Sequence, residues 1–165
     1  MSSAFHENLI PSGIFSIVCT DSHGNIRWTD KTSNMVVTQG KNDLLNKYFN
    51  GSNYSAGFFV GLKSSGDISS SDTMTSHLGW TEIITYTNSS RPAFSASTSS
   101  LASVNNGSSL AVFLMNGIAQ VAGCFISTSS LISGISGVLF SAANFTSVRN
   151  TVSGDRLLIT YTVSC

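Results

Sequence analysis

The sequence predicts a mainly β domain: an antiparallel β-sandwich or jelly-roll-like barrel with one short helix. Three observations lead there. Apolar or alternating runs of strand length recur about every eight to fifteen residues, bounded by Gly, Ser, Asn and Asp. Only one stretch carries helical spacing, so the strands do not alternate with the crossover helices that a parallel sheet needs. The chain has only two prolines, and its runs are joined by short turns of the kind found in sandwiches and barrels. Conservative counting gives about eight or nine strands, and no internal repeat suggests a propeller or solenoid.

The elements follow in order. Residues 1–12 show no strand alternation and include Pro11, so they read as an extended arm ahead of a single β domain over residues 13–165. Phe5, Leu9 and Ile10 would be wasted on a solvated tail; the arm either frays as termini do or orders by laying those side chains into a neighbour's groove. GIFSIVCT and IRWTD form a hairpin about Asp21-Ser22-His23-Gly24-Asn25, where Asp and Gly are the residues a turn demands. Asp21 and His23 are then turn residues and not an acid–base pair.

Thr38 to Phe49 is the helix, with Thr38 as N-cap, Leu44, Leu45 and Tyr48 on one face, and Asn50-Gly51 as the stop. It should lie across an end or edge of a sheet and cover exposed backbone groups there. Phe58 to Leu62 and Trp80 to Tyr86 are strand-like runs separated by a Ser-, Gly- and Asp-rich loop.

Leu110 to Ile126 is the most apolar segment. With Asn116, Gly117 and Gln120 inside, it is too short and too interrupted to span a membrane. Asn116-Gly117 suits the positive φ of a type I′ turn and predicts a hairpin. LAVFLM is apolar on both faces, so it should be covered on both sides or packed against another subunit. Toward the C-terminus come SGVLFSA, a loop through Asn144, a short run near Val148, and a half-buried strand from Asp155. In that strand Leu157, Ile159, Tyr161 and Val163 share one face.

Composition narrows the function. A chain of 165 residues makes one domain and buries roughly 70% of the surface exposed when unfolded. Charged residues are 10% of the chain with zero formal net charge, against about 25% charged in ordinary globular proteins. That removes the electrostatic footprint of a nucleic-acid or anionic-membrane binder. More than a quarter of the residues are Ser or Thr, which suit exposed sheet faces. Such a surface does little to keep copies apart, a property that fits dense assembly.

The N-terminus has neither the basic nor the apolar region of a secretory signal, and Cys19, Cys124 and Cys165 are scattered and odd in number. A reducing compartment is expected, with Cys19 and Cys124 as buried thiols and Cys165 exposed.

The distinctive stretch is Gly57 to Phe94. It carries Asp72-Thr73-Met74, Ser76-His77, Gly79-Trp80-Thr81-Glu82 and Arg91-Pro92-Ala93-Phe94 in that order, after the strand ending Val60-Gly61-Leu62. This series resembles a family of small virion structural proteins of tailed bacteriophages. The likeness extends more weakly through Asn34-Met35-Val36-Val37, the Gly123 to Ser127 strand, Phe140-Ser141-Ala142, and Gly154-Asp155 leading into Tyr161-Thr162. It covers most of the chain from about Gly13 onward.

His6, His23 and His77 have no i+4 histidine or nearby cysteine to complete a metal set. Asp72, Ser76 and His77 are the residue types of a nucleophilic triad, but neighbours in sequence seldom adopt its geometry. The expectation is that Asp72 and Ser76 bond loop backbone while His77 and Trp80 pack the loop down. No pair of carboxylates, nucleophile elbow or phosphate loop is recognisable. Asn-x-Ser/Thr triplets at Asn53, Asn88, Asn106 and Asn144 are chance products of a hydroxyl-rich chain. Arg91 is expected either to brace the central loop through Glu82 or Asp72, or, like Arg149, to reach across a subunit interface, where arginines are enriched.

These expectations converge on a non-enzymatic protein without cofactors. By resemblance it is a capsid cement or decoration protein, assembled in the host cytoplasm and bound on the virion's capsid surface. Its partners would be the major capsid protein and copies of itself, with no nucleic acid or membrane, and Phe5, Leu9, Ile10, Arg91 and Arg149 are the candidate interface residues. The alternative is a tail fibre or adhesin module that stacks a host glycan on Trp28, Tyr54 or Trp80. A free-standing hydrolase is a distant third.

Overall fold

The structure is a computed structural model that describes residues 11–51 and 57–165. The arm residues Phe5, Leu9 and Ile10, with Asn53 and Tyr54, lie outside the described residues. Two antiparallel sheets face each other around one core, as a sandwich and not a closed barrel. Among the described residues eleven strands are formed, several of only two or three residues, together with one helix.

The first sheet contains β1 (Ser12–Thr20), β2 (Ile26–Ser33), β7 (Ser103–Asn105), β8 (Ala111–Leu114) and β11 (Arg156–Ser164). Its order is β2-β1-β11, and β7 and β8 share the far edge of β11 at its two ends. The β1–β2 hairpin forms where the turn residues place it. The Asp21 carboxylate accepts the backbone N–H groups of His23 (2.8 Å) and Asn25 (2.9 Å), an Asx-type turn. β11 alternates as its sequence requires, with Leu157, Ile159 and Tyr161 buried and Val163 half-buried.

The second sheet runs β3 (Met35–Val36), β10 (Leu139–Thr151), β9 (Ala119–Ser127), β4 (Phe58–Lys63), with β5 (Glu82–Ile83) and β6 (Ala93–Phe94) both on the outer edge of β4. Phe15, Ile17, Val60, Leu62, Phe113, Ile126, Leu157 and Ile159 fill the space between the sheets.

Three expectations are corrected. Asn116-Gly117 does not close a hairpin: β8 pairs with β11 in the first sheet, whereas β9 pairs with β10 and β4 in the second. The chain turns a corner between sheets there, neither residue takes the left-handed backbone, and the Asn116 N–H donates to the Thr85 carbonyl (3.3 Å). The supposed loop through Asn144 belongs to the thirteen-residue strand β10. Its pairing with β9 shifts between Asn144 and Arg149, a bulge that lets polar side chains leave the sheet without ending it. Trp80 to Tyr86 contributes only the short β5 and an isolated bridge from Tyr86 to Met115.

Helix α1 (Thr38–Phe49) has the predicted limits but a different cap and a different buried face. Val37 is the N-cap residue and no side chain caps it. Leu44, Leu45 and Tyr48 are exposed, while Gly40 and Lys47 are buried. The cause is a close approach: a Cβ on Gly40 would stand 2.3 Å from the Phe140 carbonyl oxygen, so glycine alone lets the helix lie on β10. As expected, α1 covers an edge. Val37 N–H donates to Phe140 O (3.2 Å), and the Gln39 side chain accepts the Leu139 N–H (2.8 Å).

Candidate functional site

The distinctive residues lie in a loop, residues 64–81, folded over the outer face of the second sheet. Ile68, Met74 and Trp80 pack on Phe125 of β9 and on Leu139 and Ala142 of β10, a second apolar cluster separate from the core. β9 is thereby buried on both faces. Phe125 fits because Gly61 opposite it on β4 has no side chain; a Cβ there would lie 2.1 Å from the ring.

Each polar residue of the loop has a local partner. Asp72 accepts the Trp80 indole N–H (3.0 Å) and the Ser69 backbone N–H (3.1 Å). The His77 ring stacks on Trp80 with centroids 4.0 Å apart, and its Nδ1 donates to the Trp80 carbonyl (2.9 Å). Ser76 gives its N–H to Thr73. The carboxylate therefore faces an indole and the imidazole faces a carbonyl, which is the packing arrangement and not the relay of a triad. Trp80 is buried, so it has no ring face for a sugar. Trp28 is half-buried and packs beside Phe145 and the Arg149 guanidinium.

Arg91 holds the loop's downstream end. Its side chain is 1% exposed and makes a two-pronged pair with Glu82, 2.7 Å from Nε to Oε1 and 2.8 Å from Nη2 to Oε2. Its other N–H groups donate to Ser127 Oγ, Ser129 O and Gly134 O. All five donors of the guanidinium are matched. Of the two roles expected for Arg91, the brace through Glu82 is formed, with the guanidinium buried and its donors used within the chain.

Arg149 joins the sheets instead. From β10 it donates to the Asp30 carboxylate on β2 (2.8 Å), which also accepts the Thr146 hydroxyl (2.8 Å). Its side chain stays 27% exposed over an Asp30 that is fully covered. Burial raises the Asp30 carboxyl, but the bonds from Arg149 and Thr146 outweigh it and hold the group below its ordinary value. Arg27 on β2 pairs with buried Asp155, just ahead of β11 in the same sheet.

Lys63 and Asn106 are among the buried polar residues that sequence reasoning missed. Lys63 is fully covered on the loop side of β4, where Nζ donates to Ser64 O (2.9 Å), Gly66 O (3.2 Å) and Asn144 Oδ1. Burial pulls its pKa down to about 8 against the attraction of Cys124, Asp72 and Asp67. Asn106 fills the gap between β7 and β8 along β11: it accepts the Tyr161 N–H (2.7 Å) and donates to the Ile159 carbonyl (3.1 Å). It is 0% exposed, which closes that sequon to modification of the folded chain. No signal in a single sequence marks a lone lysine or asparagine as buried, because the groups that satisfy it lie far away along the chain.

The cysteines fall as expected, Cys19 and Cys124 buried and Cys165 exposed, all as free thiols. Burial pushes Cys19 up to about 11, helped by the charge of Asp155, and also raises Cys124. Among the described residues no group of three or more metal-ligating side chains converges, and no helix is long and apolar enough to cross a membrane.

Among the described residues no such loop covers the outer face of the first sheet. Val18 on β1, Leu158 on β11 and Val112 on β8 are register neighbours and form a half-buried apolar band. Beside it run Ser16, Thr160 and Thr162. The expectation that LAVFLM is covered on both sides is met on one side only: Phe113 is buried, whereas Leu110 and Leu114 remain exposed. Comparisons with protein-family models, with curated proteins and with solved structures gave no match.

Proposed function

We propose that this chain is a non-enzymatic bacteriophage virion structural protein, a cement or decoration protein that attaches to the outer surface of the major capsid protein lattice and stabilises the head. The observation that carries the reading is the character of the surface. Leu78 (98% exposed), Leu101 (97%) and Ile118 (81%) stand on loop tips of a nearly uncharged, hydroxyl-rich body. Aliphatic side chains at loop tips are ready to be buried by neighbours in an assembly, where interface cores are depleted of charge. The residues that resemble the phage family support the reading in a second way. Asp72, His77, Trp80, Glu82 and Arg91 are spent on fixing the loop to the sheet, as suits a rigid building block.

Mechanistically, such a protein spans neighbouring capsomers, and its contact energy opposes the outward pressure of packaged DNA. A specific attachment buries about 1,200 Å² or more in total. Repetition over a symmetric shell multiplies modest contacts through effective concentration.

Electron microscopy of the phage particles, with copies counted by labelling, tests the proposal. Hundreds of copies spread over the head are expected. A few dozen or fewer, confined to the tail, would overturn it in favour of the adhesin reading, and turnover of a small molecule by the purified chain would overturn both.

A further inference from the structure

Among the described residues the covered cations stand against carboxylates, with one exception. Arg91 is held by Glu82, and Lys47 sits 2.8 Å from the Asp43 carboxylate. Lys63 is 0% exposed, yet among the described residues it makes no salt bridge. Its Nζ donates only to the uncharged oxygens of Ser64, Gly66 and Asn144. An ammonium taken out of water without a counter-charge in contact is costly. Burial accordingly pulls this amine down to about 8, against the attraction of Cys124, Asp72 and Asp67, so in mildly alkaline solution much of it is free base.

The strand register decides what the amine faces. Lys63 on β4 and Asn144 on β10 are both register partners of Gly123, on the β9 strand that runs between them. Gly123 has no side chain, and a Cβ there would stand 3.0 Å from Lys63 Cγ. The lysine therefore passes over the middle strand and meets the carboxamide of Asn144 directly. The Trp80 ring, with its centroid 5.6 Å from Nζ, closes the loop side. Asn144 is exposed on its far side, where it lines an open groove with Asp67, and its Nδ2 donates to the Gly66 carbonyl (3.3 Å). A desolvated amine is thus held against an acyl carbon whose other substituent, an amide nitrogen, lies toward solvent.

We propose that Lys63 and Asn144 join in an intramolecular isopeptide bond, a covalent tie between β4 and β10 that the folded chain makes on itself. The free-base Nζ adds to Asn144 Cγ, the new C–N bond forms, the Cγ–Nδ2 bond breaks, and the proton shed by Nζ goes to the departing nitrogen, which leaves as ammonia. One amide replaces another, so no oxidant, reductant or co-reactant is consumed. A lysine made nucleophilic by desolvation is an established way to activate an amine, and groups held in contact react as if at very high concentration. The terminal torsion of asparagine is soft enough to bring Cγ beneath the nitrogen. The reaction happens once per chain and is not turnover. It needs the fold alone and stands apart from the virion reading, although a tie across three strands suits a part that carries load.

The mass of the full-length chain tests it. Purified wild type, held at mildly alkaline pH until its intact mass is constant and then denatured, should weigh one ammonia (about 17 Da) less than its sequence requires. Trypsin together with a glutamate-specific protease should leave Lys63 uncut and release a branched product in which residues 48–82 are joined to residues 83–149. Lys63→Met, which keeps an unbranched apolar stem, should retain its full sequence mass while circular dichroism stays that of the wild type. A wild type that keeps its full mass overturns the proposal. So does a loss of ammonia that leaves Lys63 cleavable or that persists in Lys63→Met, since an asparagine closing on its own backbone would then be its source.

Discussion

The outer faces of the two sheets are built to opposite plans. On the second sheet the loop over residues 64–81 covers Phe125, Leu139 and Ala142 with Ile68, Met74 and Trp80, and Arg91 fastens its downstream end to Glu82. On the first, the Val18–Leu158–Val112 band and its flanking hydroxyls lie open. The covered face is where most of the recognisable motif sits, and its residues are occupied with each other. The lesson is that a distinctive series of Asp, Ser, His, Trp, Glu and Arg does not by itself announce chemistry. Here it makes one sheet face into interior and leaves the other to meet whatever the protein touches.

The sharpest way to break that contrast is Arg91→Leu. It leaves the Glu82 carboxylate without its charged partner and removes one donor each from Ser127 Oγ, Ser129 O and Gly134 O. Removal of one member of a buried pair costs about 3–5 kcal/mol, so denaturant unfolding should show a loss of that size. Arg91→Lys should recover little, because an ammonium cannot reproduce the planar fork.

A smaller effect is expected where the sheets are clasped and not covered. Asp30→Asn should cost about 1.5–3 kcal/mol at neutral pH, the range for hydrogen bonds to a charged group. Because Asp30 is held below its unfolded value in the native chain, that stability is present above the unfolded carboxylate range and is lost as pH falls through the folded value. The gap between wild type and variant should therefore begin to close only below about pH 4 and vanish once the pH has passed below the folded value. A gap that persists unchanged into acid would show that the loss comes from packing and not from charge.

The smallest effect belongs to the open face. Leu158→Thr should cost about 1 kcal/mol, the ordinary effect of a single substitution, at this half-buried site. A loss of several kcal/mol would mean that this face is covered in the isolated chain.

The same contrast explains what was legible in the sequence. Alternation in β11 and the Asp21 turn are local signals, and both produced the elements they predict. The packing of His77 and Trp80 was legible as well, since turn residues around a large aromatic leave few other arrangements. Asn116-Gly117 misled because a turn signal says that the chain changes direction, not which strand it meets next; β8 and β9 find partners in different sheets. Asn144 reads as loop because it is polar, yet it sits in β10, partnered by Lys63, with Thr146 two residues on bonded to Asp30. The buried face of α1 was misjudged because leucines mark a helix's inner face only when nothing smaller is needed there, and Gly40 is needed against Phe140.

Native-state hydrogen exchange on the full-length chain measures the central claim directly. If the loop is part of the sheet's interior, the N–H groups of Asp72, Ser76 and Trp80, which are bonded within it, should exchange only as slowly as those of β9 and lose that protection together with β9 in Trp80→Ala. Loop amides that exchange at near-unfolded rates while β9 stays protected would contradict the account, for the loop would then be a free segment laid over a face that needs no cover.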